Sequence, residues 1–156
     1  MSRAFTKEND DLPEILPELK VSTAPNYVTA RGLAEIDACI ERLSYDHEHA
    51  HSDAEKARTA RDLRYWTSRR ATARIVEPPH GTHTVAFGSR ITVRRDNRPP
   101  ECVQIVGEDE ADPNEGLWAY TAPLAHALIG AAPGDEIIVD TRDPPIELEV
   151  LTVDNG

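Results

Sequence analysis

Carboxylates and imidazoles crowd one short stretch of the chain. Asp46, Glu48 and Asp53 fall close together, with Glu55 just behind. Carboxylate oxygens are what a hard divalent cation selects, and such a cation can activate water or stabilise a leaving oxygen. A solvated acidic loop is the competing reading. His47, His49 and His51 alternate through the same stretch. If it were extended, all three would face one way and could take Zn²⁺ or Ni²⁺; in a helix only His47 and His51 would share a face. With no cysteine and no second cluster nearby, a polar turn is the preferred reading of the histidines. Their protonation at about pH 6 would still tune its charge.

Downstream lie Lys56, Arg58, Arg61, Arg64, Arg69, Arg70 and Arg74, with few acids between them. Arg58, Arg61 and Arg69 can fall on one side of a helix, a basic stripe suited to a phosphate backbone or an acidic protein surface. Pairing with an acidic neighbouring helix, through Glu41 for example, would serve equally. Tyr65 and Trp66 read as packing residues rather than stacking platforms. Nothing supports nucleophilic catalysis: there is no GxSxG, no phosphate-cradling glycine loop, and the eight glycines are scattered.

These residues need elements to hold them. Thr29 is a plausible N-cap, and Leu33, Ile36, Ile40 and Leu43 then recur at helical spacing. The stripe fades in the polar run 44–53. A second helical pattern covers about 53–74, with Ala57, Ala60, Leu63, Trp66 and Ala73 on one side. Two helices joined by a short polar turn predict an antiparallel hairpin over 27–77. Pro78 and Pro79 are expected to end it, and Pro79-His80-Gly81 to lead into a second unit over 82–154.

That second unit alternates at Ile91 and Val93, as a half-buried strand does. Its densest part is Val103–Val139. A short apolar strand ends at Gly107 before the acidic turn Glu108–Pro113, expected to be mostly solvated. Leu117–Tyr120 reads as another strand, and Pro123 opens a short helix carrying Leu124, Leu128 and Ile129. Glu136–Asp140 and Ile146–Val153 read as further strands. The expected class is α+β: a helical hairpin followed by a mainly antiparallel sheet with one short helix. Residues 1–26, acidic and interrupted by Pro13, Pro17 and Pro25, are expected to form a disordered tail.

The chain has 156 residues and a net charge of -11. Such acidity argues against independent binding to DNA or RNA, which needs clustered positive charge, and suits docking on a basic surface. No apolar run is long enough for a membrane span, the first residues have no apolar signal core, and Cys39 and Cys102 form no CxxC. A cytoplasmic protein in a reducing compartment is expected.

The signatures IVGEDEAD (Ile105–Asp112) and APLAHALIGAAPGD (Ala122–Asp135), with FGSRITV (Phe87–Val93) before them and IELEVLTV (Ile146–Val153) after, occur in one order. In this the chain resembles the bacterial GreA/GreB family of transcription elongation factors, well over about residues 84–153 and more loosely over 27–77. The resemblance implies an FKBP-like C-terminal domain that binds RNA polymerase, and a coiled-coil hairpin that enters the polymerase's secondary channel. It implies no activity of the chain's own: such factors stimulate the polymerase to cleave backtracked RNA, contacting the nascent 3′ end only within that complex. Asp46, Glu48 and Asp53 become the candidates to share Mg²⁺ with the polymerase, and no intrinsic cofactor is implied. Thr121, Ala122 and Pro123 occupy the matching docking turn, where the family often has an acidic residue and a serine before the proline. The tip lacks the family's Asp-x-x-Glu-Asn pattern, and the arm is shorter than in cleavage-competent members. A regulator without cleavage activity, resembling the regulator of nucleoside diphosphate kinase (Rnk), is therefore the alternative. From a different class, a peptide-binding or prolyl-isomerase-like module remains, although 5% aromatic content makes an aromatic-lined pocket a poor expectation.

Overall fold

The computed structural model describes residues 15–156. Residues 1–14, the first part of the expected tail, lie outside the described residues. The remainder of that segment, 15–26, has no helix or strand, yet it is held in place. Glu18 takes three hydrogen bonds from the Arg64 guanidinium, and Ser22 Oγ donates to Glu108 at 2.9 Å. Asn26 is buried. Disorder was expected through residue 26; instead Glu18 finds a cation and Ser22 a carboxylate far along the chain.

Strand β1 (Tyr27–Val28) leads into α1 (Ala30–Glu48), and α2 (Asp53–Thr72) returns to β2 (Arg74–Ile75). Thr29 caps α1 as its residue type predicts, its Oγ1 accepting from Gly32 N at 3.0 Å; Ser52 does the same for α2 through Glu55 N. Ile36 and Leu43 of the apolar stripe are buried between the helices. The second helix ends earlier than the two prolines would require. Ala73 turns extended, and Arg74 and Ile75 pair in parallel with Tyr27 and Val28, so a small clasp closes the root of the hairpin.

The second unit is a five-stranded sheet of β3 (Arg90–Arg95), β4 (Glu101–Val106), β5 (Leu117–Ala119), β6 (Glu136–Val139) and β7 (Ile146–Asp154), in the spatial order β5-β4-β3-β7-β6. Helix α3 (Pro123–Leu128) packs its buried Ala125 and Leu128 into the core beside Ile91, Ile105, Leu148 and Val150. The class is α+β, with a two-helix arm on a sheet-and-helix body.

Two details go beyond the sequence expectation. Strand β5 runs parallel to β4, the one parallel pair in a five-stranded sheet that is otherwise antiparallel. The chain leaves the sheet at Gly107, makes a 3-10 turn at Pro113–Glu115, and re-enters in the same direction after Gly116, whose φ of 70° suits a residue without a Cβ. Strand β7 is also out of step with simple alternation. Ile146, Leu148 and Val150 are buried, and the next buried residue is Val153. The slip sits where β3 Thr92 pairs with Thr152 and Val93 with Val150, a bulge that leaves Leu151 over and returns Val153 to the core face.

Candidate functional site

The three candidate regions of the sequence are the arm's tip, the basic stripe and the turn Thr121-Ala122-Pro123. Asp46 and Glu48 lie in the last turn of α1 and Asp53 begins α2; all three are exposed. Among the described residues, no three His, Cys, Asp or Glu side chains are grouped as a metal ion requires. The histidines do not share a face either. His47 Nδ1 is 2.8 Å from Thr59 Oγ1 across the hairpin, while His49 Nδ1 bonds back to Tyr45 O and stacks on that ring at 4.0 Å. Glu55 turns inward on the turn itself and accepts from His51 N at 2.8 Å. At about 1.5 Å per residue, the 19 residues of α1 give an arm of about 28 Å.

The basic stripe does not survive folding. Of its three members Arg58 is exposed, Arg61 lies 2.9 Å from Asp62, and Arg69 is buried. Arg64 and Arg70 are likewise taken up, by Glu18 and by Asp37 of α1, each at 2.6 Å. Pairing across the hairpin therefore replaces an open cationic face, and its partners are Asp37 and the N-terminal segment rather than Glu41.

Arg69 leads to a feature the sequence reading missed. Its Nε donates to Asp109 Oδ2 at 2.5 Å and its Nη2 to Asn26 Oδ1 at 2.8 Å. Tyr65 OH donates to the other Asp109 oxygen at 2.6 Å, and Thr29 Oγ1 donates to Glu110 Oε1 at 2.5 Å. The acidic run 108–110, expected to be mostly solvated, is thus the socket for the arm's root, and Glu110 is 7% exposed. Burial, and then the hydrogen bond to Asp109, push the Tyr65 hydroxyl up to about 12. Burial followed by the charge of Glu108 also raises Tyr120. Gly107 completes the socket: a Cβ there would stand 2.4 Å from the Tyr27 carbonyl oxygen. No local signal in the sequence marks these partners, because they lie 40 or more positions apart.

The turn Thr121-Ala122-Pro123 follows directly from this socket. Tyr120, which closes β5, donates its OH to Pro25 O at 2.5 Å and sits edge-on or tilted against Phe87 and Tyr27. Thr121 and Pro123 then emerge exposed, with Ala122 between them as a cap residue that offers α3 no side-chain hydrogen bond. Beside the turn lies a groove of about 500 Å³ whose one aromatic lining residue is Trp118. That lining gives the prolyl-isomerase alternative no support. No helix among the described residues is long and apolar enough to cross a membrane.

Comparisons with known proteins bear on the family of the chain. Residues 79–155 match the family model described as transcription elongation factor GreA/GreB, C-term. Transcription elongation factor GreB of Neisseria meningitidis serogroup B is 35% identical over 96 residues, a match spanning 60% of this chain and 59% of that protein. Transcription elongation factor GreA of Nitratiruptor sp. is 30% identical over 155 residues, covering 98% of this chain and 86% of the relative. GreA of Roseiflexus castenholzii is 29% identical over 156 residues, covering 85% and 99%.

Proposed function

We propose a role that starts from one premise: the chain belongs to the GreA/GreB family of transcription elongation factors. In this reading it is not itself an enzyme. It acts in the bacterial cytoplasm with RNA polymerase, gripping the rim of the secondary channel with the turn Thr121-Ala122-Pro123 and directing the hairpin inward to modulate elongation. The observation that carries the reading is mechanical. Tyr120 immediately precedes the turn and is tied to Pro25, Tyr27 and Phe87, while Asp109 and Glu110 hold Arg69, Tyr65 and Thr29. A grip on the turn therefore fixes the direction of the arm.

At the tip, Asp46, Glu48 and Asp53 are free to meet a polymerase-held Mg²⁺. Any such ion is shared, since the arm presents exposed carboxylates rather than a closed ligand set. The ion would supply activation of water for RNA cleavage, and the chain's part is to bring carboxylate oxygen to it. The short arm and dispersed carboxylates favour a second reading, in which the hairpin occupies the channel and tunes elongation without promoting cleavage.

A transcript-cleavage assay on stalled elongation complexes tests both. Stimulation by the wild-type chain that is lost in Asp46→Ala, Glu48→Ala or Asp53→Ala supports the shared-metal tip. Polymerase binding without stimulation supports the channel-occupying regulator. A chain that leaves the polymerase unbound overturns the proposal.

A further inference from the structure

The groove beside Pro123 has a charge pattern at odds with the rest of the molecule. The chain carries a net charge of -11, yet the charged residues lining this groove are Arg95 and Arg142, with no acid among them. Apolar surface from Trp118, Pro123 and Leu124 lies between and beside them. Arg95 sits with its guanidinium carbon 5.3 Å from the Trp118 ring centre. Its Nη2 reaches Glu101 at 3.2 Å, but its Nε is enclosed and has no hydrogen-bond partner among the described residues. The side chain as a whole is 25% exposed, so its outer N–H groups rather than Nε are what an incoming carboxylate can meet. Arg142 is exposed and makes no ion pair among the described residues.

A second depression of about 400 Å³ shares Arg95 and Trp118 with the groove and adds Arg98 and Glu101. The two adjoin at Arg95, Pro113 and Trp118 and are partly open to solvent, a track that suits a stretch of polypeptide. We infer that this track binds an acidic segment of the protein partner, seating an apolar side chain over Trp118 and Pro123 and carboxylates on Arg95 and Arg142. The inference rests on the docking reading above, because Ala122 and Pro123 form one wall of the groove. It adds the partner's chemistry: Thr121 has no charge to offer, and the arginines supply the electrostatic part of recognition. Opposite charges across an interface set register and speed encounter, and their loss appears as weaker binding with less salt dependence.

The test uses the full chain and purified RNA polymerase, with affinity measured at low and moderate salt for wild type, Arg95→Gln, Arg142→Gln and Arg142→Glu. Arg142 is exposed, so its variants keep the test valid should Arg95→Gln fold poorly. Affinity reduced at least about tenfold in Arg142→Glu, with a shallower salt dependence, is the expected result. As a second readout, the peptide acetyl-Glu-Leu-Asp-Glu-Leu-amide should shift the Trp118 indole resonance, and its Gln/Asn counterpart should not. Wild-type affinity in all the arginine variants overturns the inference and leaves the docking reading standing. Failure of the wild-type chain to bind polymerase overturns both.

Discussion

Arg69 of α2 and Asp109 of the β4–β5 crossover, 40 residues apart, meet at 2.5 Å with side chains only 3% and 12% exposed. Such a pair has given up its water, so each partner depends on the other. Removing one member of a buried ion pair strands the remaining charge and costs about 3–5 kcal/mol. Asp109→Asn should therefore lower unfolding free energy by about 3 kcal/mol in a urea titration, because Asn26 still accepts one guanidinium N–H. Glu18→Gln, which breaks the exposed contact to Arg64, should leave the same curve unmoved within error. Equal effects for the two variants would mean that the socket does not hold the arm.

Tyr65 gives that socket a signature in alkali. An ordinary tyrosine ionises at about 10, and burial together with Asp109 raises Tyr65 to about 12. The neutral hydroxyl is favoured in the folded chain. Its contribution to stability is therefore complete below the unfolded value and is lost as pH rises through the folded one, between about 10 and 12. Absorbance titration at 295 nm should show two tyrosines, Tyr65 and Tyr120, ionising above the ordinary value, and Tyr65→Phe should remove one of them. Asp109→Asn should move Tyr65 toward the ordinary value.

Gly107 permits the close approach of the two units. Its absent Cβ would stand 2.4 Å from a backbone oxygen of Tyr27, which cannot rotate away as a side chain could. Gly107→Ala should cost at least about 2 kcal/mol, at the upper part of the range for overpacking. Differential scanning calorimetry would register it as a fall in Tm. Gly130→Ala, whose new methyl meets nothing within 4 Å, should cost only the strain of its φ of 92°, about 1 kcal/mol.

The sheet core makes a plainer prediction. Leu148 of β7 is fully enclosed, and Leu148→Ala should remove about 2–5 kcal/mol through lost burial and the cavity left behind. Ile138, 70% exposed on β6, should tolerate alanine almost without change. Guanidinium unfolding of both variants provides the comparison.

How far the sequence could be read depended on distance along the chain. The hairpin was legible because Leu33, Ile36, Ile40 and Leu43 repeat within one helix, and Thr29 announces its cap by residue type. Short-range signals also marked β4 and the start of α3 at Pro123. The bulge in β7 was visible in principle, since Val150 and Val153 are three apart where alternation demands two. The socket was not. Glu108, Asp109 and Glu110 look like any solvated acidic turn until Ser22, Arg69 and Thr29 arrive from elsewhere, and nothing local encodes that arrival. The basic stripe failed for the same reason: helical spacing says which side chains share a face, and only the fold says what covers it. The groove arginines were obscure too, because Arg95 and Arg142 lie far apart in sequence and meet only as lining of one groove.

The little parallel clasp at Tyr27–Val28 and Arg74–Ile75 puts the arm's entrance and exit side by side. Everything between those four residues is then a cassette plugged into an otherwise continuous body. Matched turns, each adding about 5.4 Å, could be spliced into both helices or trimmed from them without disturbing a single rung of the five-stranded sheet. Reach is thereby uncoupled from grip, and a lineage can retune how deep its finger probes while leaving its handhold untouched.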